Sequence, residues 1–312
     1  MVEADSRKVV IAALAGNVAI AACKLAAAAL SRSTATLAEA VHSLADSGNQ
    51  GLLLVGMHLA ARPADARFPF GRASERYFWP FVVALLLFSV GGAFAIFDGV
   101  HELFHPHPEA RSRVWSFAVL GVSLGFEAMS FRVAMAEFRK LAGEQPIAAA
   151  VLEARDPTIP LVLAEDATAI AGLILALLAV SACALTGQAF WDPLGSVMIG
   201  LLLCAVAVLL AWITHGLLIG ESASPGEQAR ALALAQSVAG VERVTQLLTL
   251  HLGPDDIVLA MKIAFQPSLS VAELENVTNR IEAAVRAEMP QMRKIFVEAD
   301  SRGDMRGVRA RG

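Results

Sequence analysis

The sequence predicts a membrane α-helical protein: a six-helix transmembrane bundle followed by a small cytoplasmic α+β domain. Composition is the first reason, since 56% of the 312 residues are hydrophobic and 17% are charged, against the ~25% charged of an ordinary soluble domain. Patterning is the second. Six apolar runs, roughly 8–30, 36–61, 78–104, 113–137, 159–185 and 191–218, reach the ~20 residues that a helix needs to cross a bilayer. The third is a change of texture after Gly220, where helix-capping signals and short alternating segments replace the apolar runs.

The opening MVEADSRK is polar and the run behind it is too long for the core of a cleavable signal, so no signal peptide is expected. Short polar connections separate the runs and set the orientation. Arg62, Arg67, Arg72 and Arg76 lie in one, and Arg132, Arg139, Lys140 and Arg155 in another. The opposite side holds only Arg32, Arg111 and Arg113, and the turn Thr186–Phe190 carries no charge. The positive-inside rule places the first group, and hence both termini, in the cytoplasm. A bacterial-type inner membrane is the expected location. Trp79, Trp115, Trp191 and Trp212 fall near run ends, as interfacial anchors do. Cys23, Cys183 and Cys204 sit within apolar runs and read as small packing residues. A net charge of −4 gives no sign of a nucleic-acid partner.

Beyond Gly220, Ser224-Pro225-Gly226-Glu227 combines an N-cap, a proline at the first helical position and a capping-box glutamate, opening a helix to about Val238. Val244–Leu252 and Ile257–Phe265 read as strands joined by the turn Gly253-Pro254-Asp255-Asp256. Ser270-Val271-Ala272-Glu273 is a second capping box and opens a helix to about Glu288. Lys294–Ala299 is a last strand. The order αββαβ is that of a small ferredoxin-like α+β domain. The expected division is a transport domain over 1–219, a cytoplasmic domain over 220–300 and a disordered basic tail over 301–312.

Ionisable residues inside the runs carry the chemistry. His42 and Asp46 lie four residues apart in Thr34–Ala61, so on a helix they share one face. Glu165 and Asp166 lie at a similar depth in Ile159–Leu185. A charge at the bilayer centre costs ~2.5–3.5 kcal/mol on insertion scales, so such residues usually mark an ion or proton path. Imidazole and carboxylate also suit a divalent metal such as zinc. The competing reading is a polar cluster satisfied by its own hydrogen bonds. Glu127 is read either as a proton relay or as a partner of Arg132, and Asn49 as a support one turn below Asp46. Glu39 reads as a vestibule residue. Asp98, His101, Glu102, His105 and His107 read as a hydrated outer loop, and His58 and His215 as interfacial. Gly91, Gly92, Gly121 and Gly125 are expected to permit close helix packing.

HSLADSGNQ in the second run, FPFGRASERY in the following turn, LAEDATAIAG in the fifth run, DPLGSVMIGLLL in the sixth and the αββαβ tail together resemble the cation diffusion facilitator family. The fifth run is similar to that of the branch containing the mitochondrial zinc transporter. The resemblance covers nearly the whole chain. It implies a homodimeric secondary transporter without a prosthetic group, exporting Zn2+, Mn2+, Fe2+ or Co2+ from the cytoplasm in exchange for protons. Of the four ligands this family draws from spans 2 and 5, His42, Asp46 and Asp166 match. Val162 stands where many relatives place His or Asp, leaving Glu165 or a water to complete the set. In the tail, Glu298 and Asp300 occupy the position of a ligand pair of the family, with Glu in place of His. His251 is the tail's only histidine, so dimerisation is the expected role of that domain rather than metal binding. The alternative function is a non-transporting membrane metal sensor or dimer scaffold. His101-Glu102-Leu103-Phe104-His105 has the HExxH spacing and Gly121-Val122-Ser123-Leu124-Gly125 the GxSxG spacing, but the first lies at the outer end of an apolar run and the second inside one rather than at a strand-to-helix turn, so hydrolysis is not expected.

Overall fold

The computed structural model describes residues 2–31, 34–105 and 113–300. Two long helices open the chain, α1 (Val2–Ser31) and α2 (Thr34–Ala60), and pack side by side. Next comes a rod in three parts: α3 (Glu75–Leu86), a π-helical stretch Leu87–Ala93 and α4 (Phe94–Phe104). The sequence predicts one uniform run here. The π-helical turn replaces it where Gly91 and Gly92 remove side chains that would resist a wider coil. Then follow α5 (Arg113–Ala142), the short α6 (Ile147–Glu153), α7 (Thr158–Thr186) and α8 (Trp191–Ile219). Helix α6 was not expected; Pro146 ends the preceding loop and the Ala-rich stretch behind it favours helix. Among the described residues, four helical segments are long and apolar enough to cross a membrane: Glu75–Phe104, Phe117–Lys140, Thr158–Thr186 and Trp191–Ile219.

Packing between these helices runs through small residues. Glycine contacts join the three-part rod to α8: a Cβ on Gly92 would lie 2.6 Å from Cys204 Sγ, and one on Gly200 would lie 2.8 Å from the Gly92 carbonyl. In lipid no hydrophobic gain drives helices together, so such close backbone approach supplies the dispersion that does. Gly121 and Gly125 do not serve this purpose; a Cβ on either meets nothing within 4 Å among the described residues. Trp79 is more than a lipid anchor, since its ring covers Gly56 and its Nε1 donates to Glu75 at 2.9 Å.

One apolar cluster packs the end of the bundle nearer the α+β domain. Val10 of α1, Leu53 and Met57 of α2, Val83 of α3, Phe138 of α5, Ile159 and Val162 of α7, and Leu210 of α8 form one buried cluster. Each helix contributes from its expected cytoplasmic end, which is what helices alternating in direction require.

The cytoplasmic domain has the predicted order. Helix α9 (Pro225–Gln236) precedes β1 (Val241–Gly253) and β2 (Asp256–Phe265), then α10 (Val271–Glu288) and β3 (Lys294–Ala299). Both capping boxes form, with the Ser224 and Ser270 side chains accepting from the Glu227 and Glu273 backbone N–H groups. β1 and β2 are antiparallel across the turn Pro254-Asp255, and β3 joins β2 in parallel, giving the order β1-β2-β3. Ile257, Leu259, Met261 and Ile263 alternate along β2 into a core with Val277, Ile281 and Val285 of α10, the period-2 and period-3.6 faces meeting as patterning demands. The expected disordered tail, 301–312, lies outside the described residues.

Candidate cation site in the membrane domain

Just above the apolar layer, α1, α2, α5 and α7 turn polar at matching depth. On α2, Asp46 and Asn49 are half-buried, while Ser47 and Gln50 are buried. Gln50 Oε1 accepts from Asn17 Nδ2 of α1 at 3.1 Å. On α7, Asp166 is buried and accepts from Ser130 Oγ of α5 at 2.8 Å. Asn49 Nδ2 donates to Glu165 Oε1 at 3.2 Å, tying α2 to α7. The other Glu165 oxygen, Oε2, is buried without a hydrogen-bond partner. Glu127 is buried on α5, three residues before Ser130 and hence on the same face. Asp46, Asp166 and Glu127 all act electrostatically on Glu165. Three carboxyl groups from three helices thus lie within electrostatic range of Glu165.

Such a layer has a definite chemistry. Four carboxylates cannot all stay ionised in a poorly solvated space, because their mutual repulsion adds to the cost of desolvation. A divalent cation or bound protons relieve it. Two of the four are held here by neutral donors, a hydroxyl and an amide, which orient a carboxyl oxygen without supplying the opposing charge.

The sequence-predicted residues fare unequally. Asp46 and Asp166 lie within electrostatic range of Glu165. His42 lies on α2 one turn before Asp46, but its side chain, like that of Glu39, lies outside the described residues. Among the described residues no group of three or more His, Cys, Asp or Glu side chains is arranged to hold a metal. Val162 is fully buried within the apolar layer one turn below Asp166. Asn49, expected as a support one turn below Asp46, donates to Glu165. Arg132 is exposed while Glu127 is buried. Ser130 was missed; the available signal was a hydroxyl residue three positions after a glutamate in an apolar run. At the far end of α4, the His101 and His105 rings stack at 4.7 Å on an exposed surface, and His107 lies outside the described residues.

The family's ligand positions in the tail are otherwise engaged. Glu298 is paired with Lys262 at 3.3 Å, and Asp300 accepts from Thr245 Oγ1 at 2.6 Å. His251 is buried with Nδ1 3.3 Å from the Gly253 carbonyl, and burial holds its pKa below the ordinary imidazole value.

Helices built for a bilayer, a buried carboxyl layer and a separate cytoplasmic α+β domain define an integral membrane protein of the transport type. Residues 10–219 match the cation efflux transmembrane domain, and residues 224–302 match the cation efflux protein cytoplasmic domain. The chain belongs to the cation efflux family. Its relatives include the proton-coupled zinc antiporter SLC30A9, mitochondrial, of Xenopus laevis, 31% identical over 289 residues, covering 90% of this chain and 52% of the relative. Metal tolerance protein C4 of Arabidopsis thaliana is 30% identical, covering 96% of this chain and 64% of the relative. The chain thus spans about half to two thirds of the length of these two. Magnetosome protein MamM of Paramagnetospirillum magneticum is 23% identical, covering 95% of this chain and 89% of the relative. A solved structure, MamM-CTD 215-293, is 27% identical over 25% of this chain and 96% of its own, with a TM-score of 0.24.

Proposed function

We propose that this chain is a secondary active transporter that moves a divalent cation, zinc foremost, out of the cytoplasm in exchange for protons. The carrying observation is four carboxyl groups, Asp46, Glu127, Glu165 and Asp166, within electrostatic range at one level of the bundle beside an apolar cluster, with neutral hydrogen-bond donors holding Glu165 and Asp166. His42, Asp46 and Asp166 are the ligands, with Glu165 or a water as the fourth. The family match and the relatives named as zinc antiporters support this reading.

The mechanism follows from competition. Cation and protons want the same lone pairs, so loading one expels the other. The unperturbed imidazole pKa of about 6.5 makes His42 a natural proton acceptor in that exchange. With both termini cytoplasmic, the buried cluster of Leu53, Met57, Val162 and Leu210 lies on the cytoplasmic side of the carboxyl groups, which supports reading this conformation as closed on that side. Cytoplasmic entry requires α2 or α7 to move and part the layer, and the Asn49–Glu165 hydrogen bond couples those two helices.

In this reading α1 and α2, of 30 and 27 residues, complete six spans, with both termini cytoplasmic in a bacterial-type inner membrane. The domain over 220–300 serves to join two copies. The test is zinc uptake into vesicles holding purified protein under an imposed pH gradient. Uptake driven by the gradient, and lost in Asp46→Ala, is expected. Uptake indifferent to the gradient would refute proton exchange, and wild-type uptake by the variant would refute the site.

A further inference from the structure

A cavity of about 410 Å³ lies between the α2–α3 connection and the β1–β2 hairpin. Its wall carries Arg62 and Arg72 from the connection, Arg76 from the first turn of α3, and Arg293 and Lys294 at the entry to β3, against Asp255 and Asp256 of the hairpin. Several of these charges are already matched. Lys294 Nζ holds both Asp256 oxygens at 2.6 and 2.5 Å. Arg72 reaches Asp65 at 3.3 Å, and Arg76 reaches Asp156 at 2.5 Å. Arg62 and Arg293 make no ion pair among the described residues, and both are exposed.

The guanidinium groups also keep donors in reserve. Nε of Arg72 and Nε of Arg76 are buried with no hydrogen-bond partner, although the Arg76 side chain is only 5% exposed. A buried charged donor left without an acceptor is costly. It is readily explained if an acceptor arrives from outside the chain.

We propose that this cavity binds a phosphate-bearing anion. Arginine forks match phosphate oxygens in pairs, and once the paired charges are set aside, Arg62 and Arg293 against Asp255 leave the wall electropositive. The volume suits a small ligand. The connection leaves the membrane domain directly after α2, where a phospholipid headgroup of an anionic leaflet and a free phosphate compound both have access. The occupant would bridge the two domains. Ser74 Oγ already donates to the Leu252 carbonyl at 3.0 Å, and a Cβ on Gly253 would lie 2.7 Å from Ala73 Cβ. An anion seated there would pin the hairpin of the cytoplasmic domain against the membrane domain. The proposal stands on the cavity and its donors, and does not depend on which ion is transported.

The test uses the full-length protein in detergent. Native mass spectrometry counts retained phosphatidylglycerol against phosphatidylcholine, and calorimetry titrates inorganic pyrophosphate. Arg62→Gln/Arg293→Gln is compared with Arg67→Gln/Arg286→Gln, which removes the same charge elsewhere. Preference for phosphatidylglycerol alone identifies a headgroup site, and pyrophosphate binding identifies a site for soluble phosphates. In either case the lining variant is expected to bind at least tenfold more weakly than wild type, with the control unchanged. Should the lining variant fail to fold, Arg72→Lys keeps the charge but loses the fork, and weaker binding is expected again. Equal binding by the lining variant and the control, or no preference for either anion over phosphatidylcholine, overturns the proposal.

Discussion

The two domains of this protein bury carboxyl groups in opposite ways. In the cytoplasmic domain, Asp256 is buried against Lys294, whose ammonium touches both its oxygens. In the membrane domain, Asp166 is buried against a serine hydroxyl, and Glu165 is held through an asparagine amide. A carboxylate already matched by an ammonium gains little from another cation. One held by neutral donors keeps its charge available. The first arrangement holds a sheet together, and the second suits a site that must load and unload.

The strongest way to break this contrast is to remove a carboxylate from the membrane layer. Asp46→Ala is expected to lower zinc uptake by ~100-fold or more, beyond the ~10–100-fold cost of losing a group that merely orients a ligand. The dimer should survive, as read by size-exclusion with light scattering; a collapsed dimer would assign Asp46 to the fold instead.

The orienting donors come next. Ser130→Ala and Asn49→Leu should each weaken zinc affinity by ~10-fold while leaving the fold intact. Ser130→Thr, which restores a hydroxyl, should recover most of it. Calorimetry on purified protein measures both, and an unchanged Ser130→Ala would mean that the hydroxyl only fills a packing need.

Val162→His sharpens the count of ligands. Val162 is part of the apolar layer, so an imidazole there should cost ~1–3 kcal/mol in the absence of metal. Zinc should raise the melting temperature of the variant more than that of wild type, because the new ring lies one turn from Asp166. Equal shifts would show that position 162 faces the layer alone, and would favour Glu165 as the fourth ligand.

The smallest effect belongs to the cytoplasmic domain. The fragment 221–312 contains its own core and should fold and self-associate in the presence of a chelator. Ser224→Ala removes a cap worth ~1 kcal/mol. Burial pushes the Glu227 carboxyl up, but hydrogen bonds from the Ser224 backbone N–H and hydroxyl and from Gln291 outweigh it and hold its pKa below the usual value. A lowered folded-state pKa gives stability that is present above the unfolded value of about 4.3 and lost as pH falls through the folded one. Urea titrations should therefore show the Ser224→Ala penalty at pH 7 and a smaller one near pH 3. Because Glu227 is partly exposed, screening by salt should trim the charged part further.

Local rules carried much of this molecule into view before any tertiary contact was known. Helical spacing alone sets His42 and Asp46 on one face, the two Ser-x-x-Glu boxes start α9 and α10, and the alternation along Ile257–Phe265 makes β2. Each depends on residues within a turn or two of one another, where backbone geometry leaves few choices. The boundaries of β1 and the existence of α6 were less legible, because sheet pairing and packing extend or create elements that propensity leaves undecided.

The partners of the buried carboxyl groups belong to the tertiary structure. Ser130 meets Asp166 across 36 positions, and Asn49 meets Glu165 across 116. Nothing in the spacing of either pair announces it, since the rotation and depth of α2, α5 and α7 depend on packing across the whole bundle, including its apolar cluster. The same holds for the basic cavity. Its arginines are visible in the sequence as a charged connection, but only the docking of the β1–β2 hairpin onto that connection sets them around one cavity.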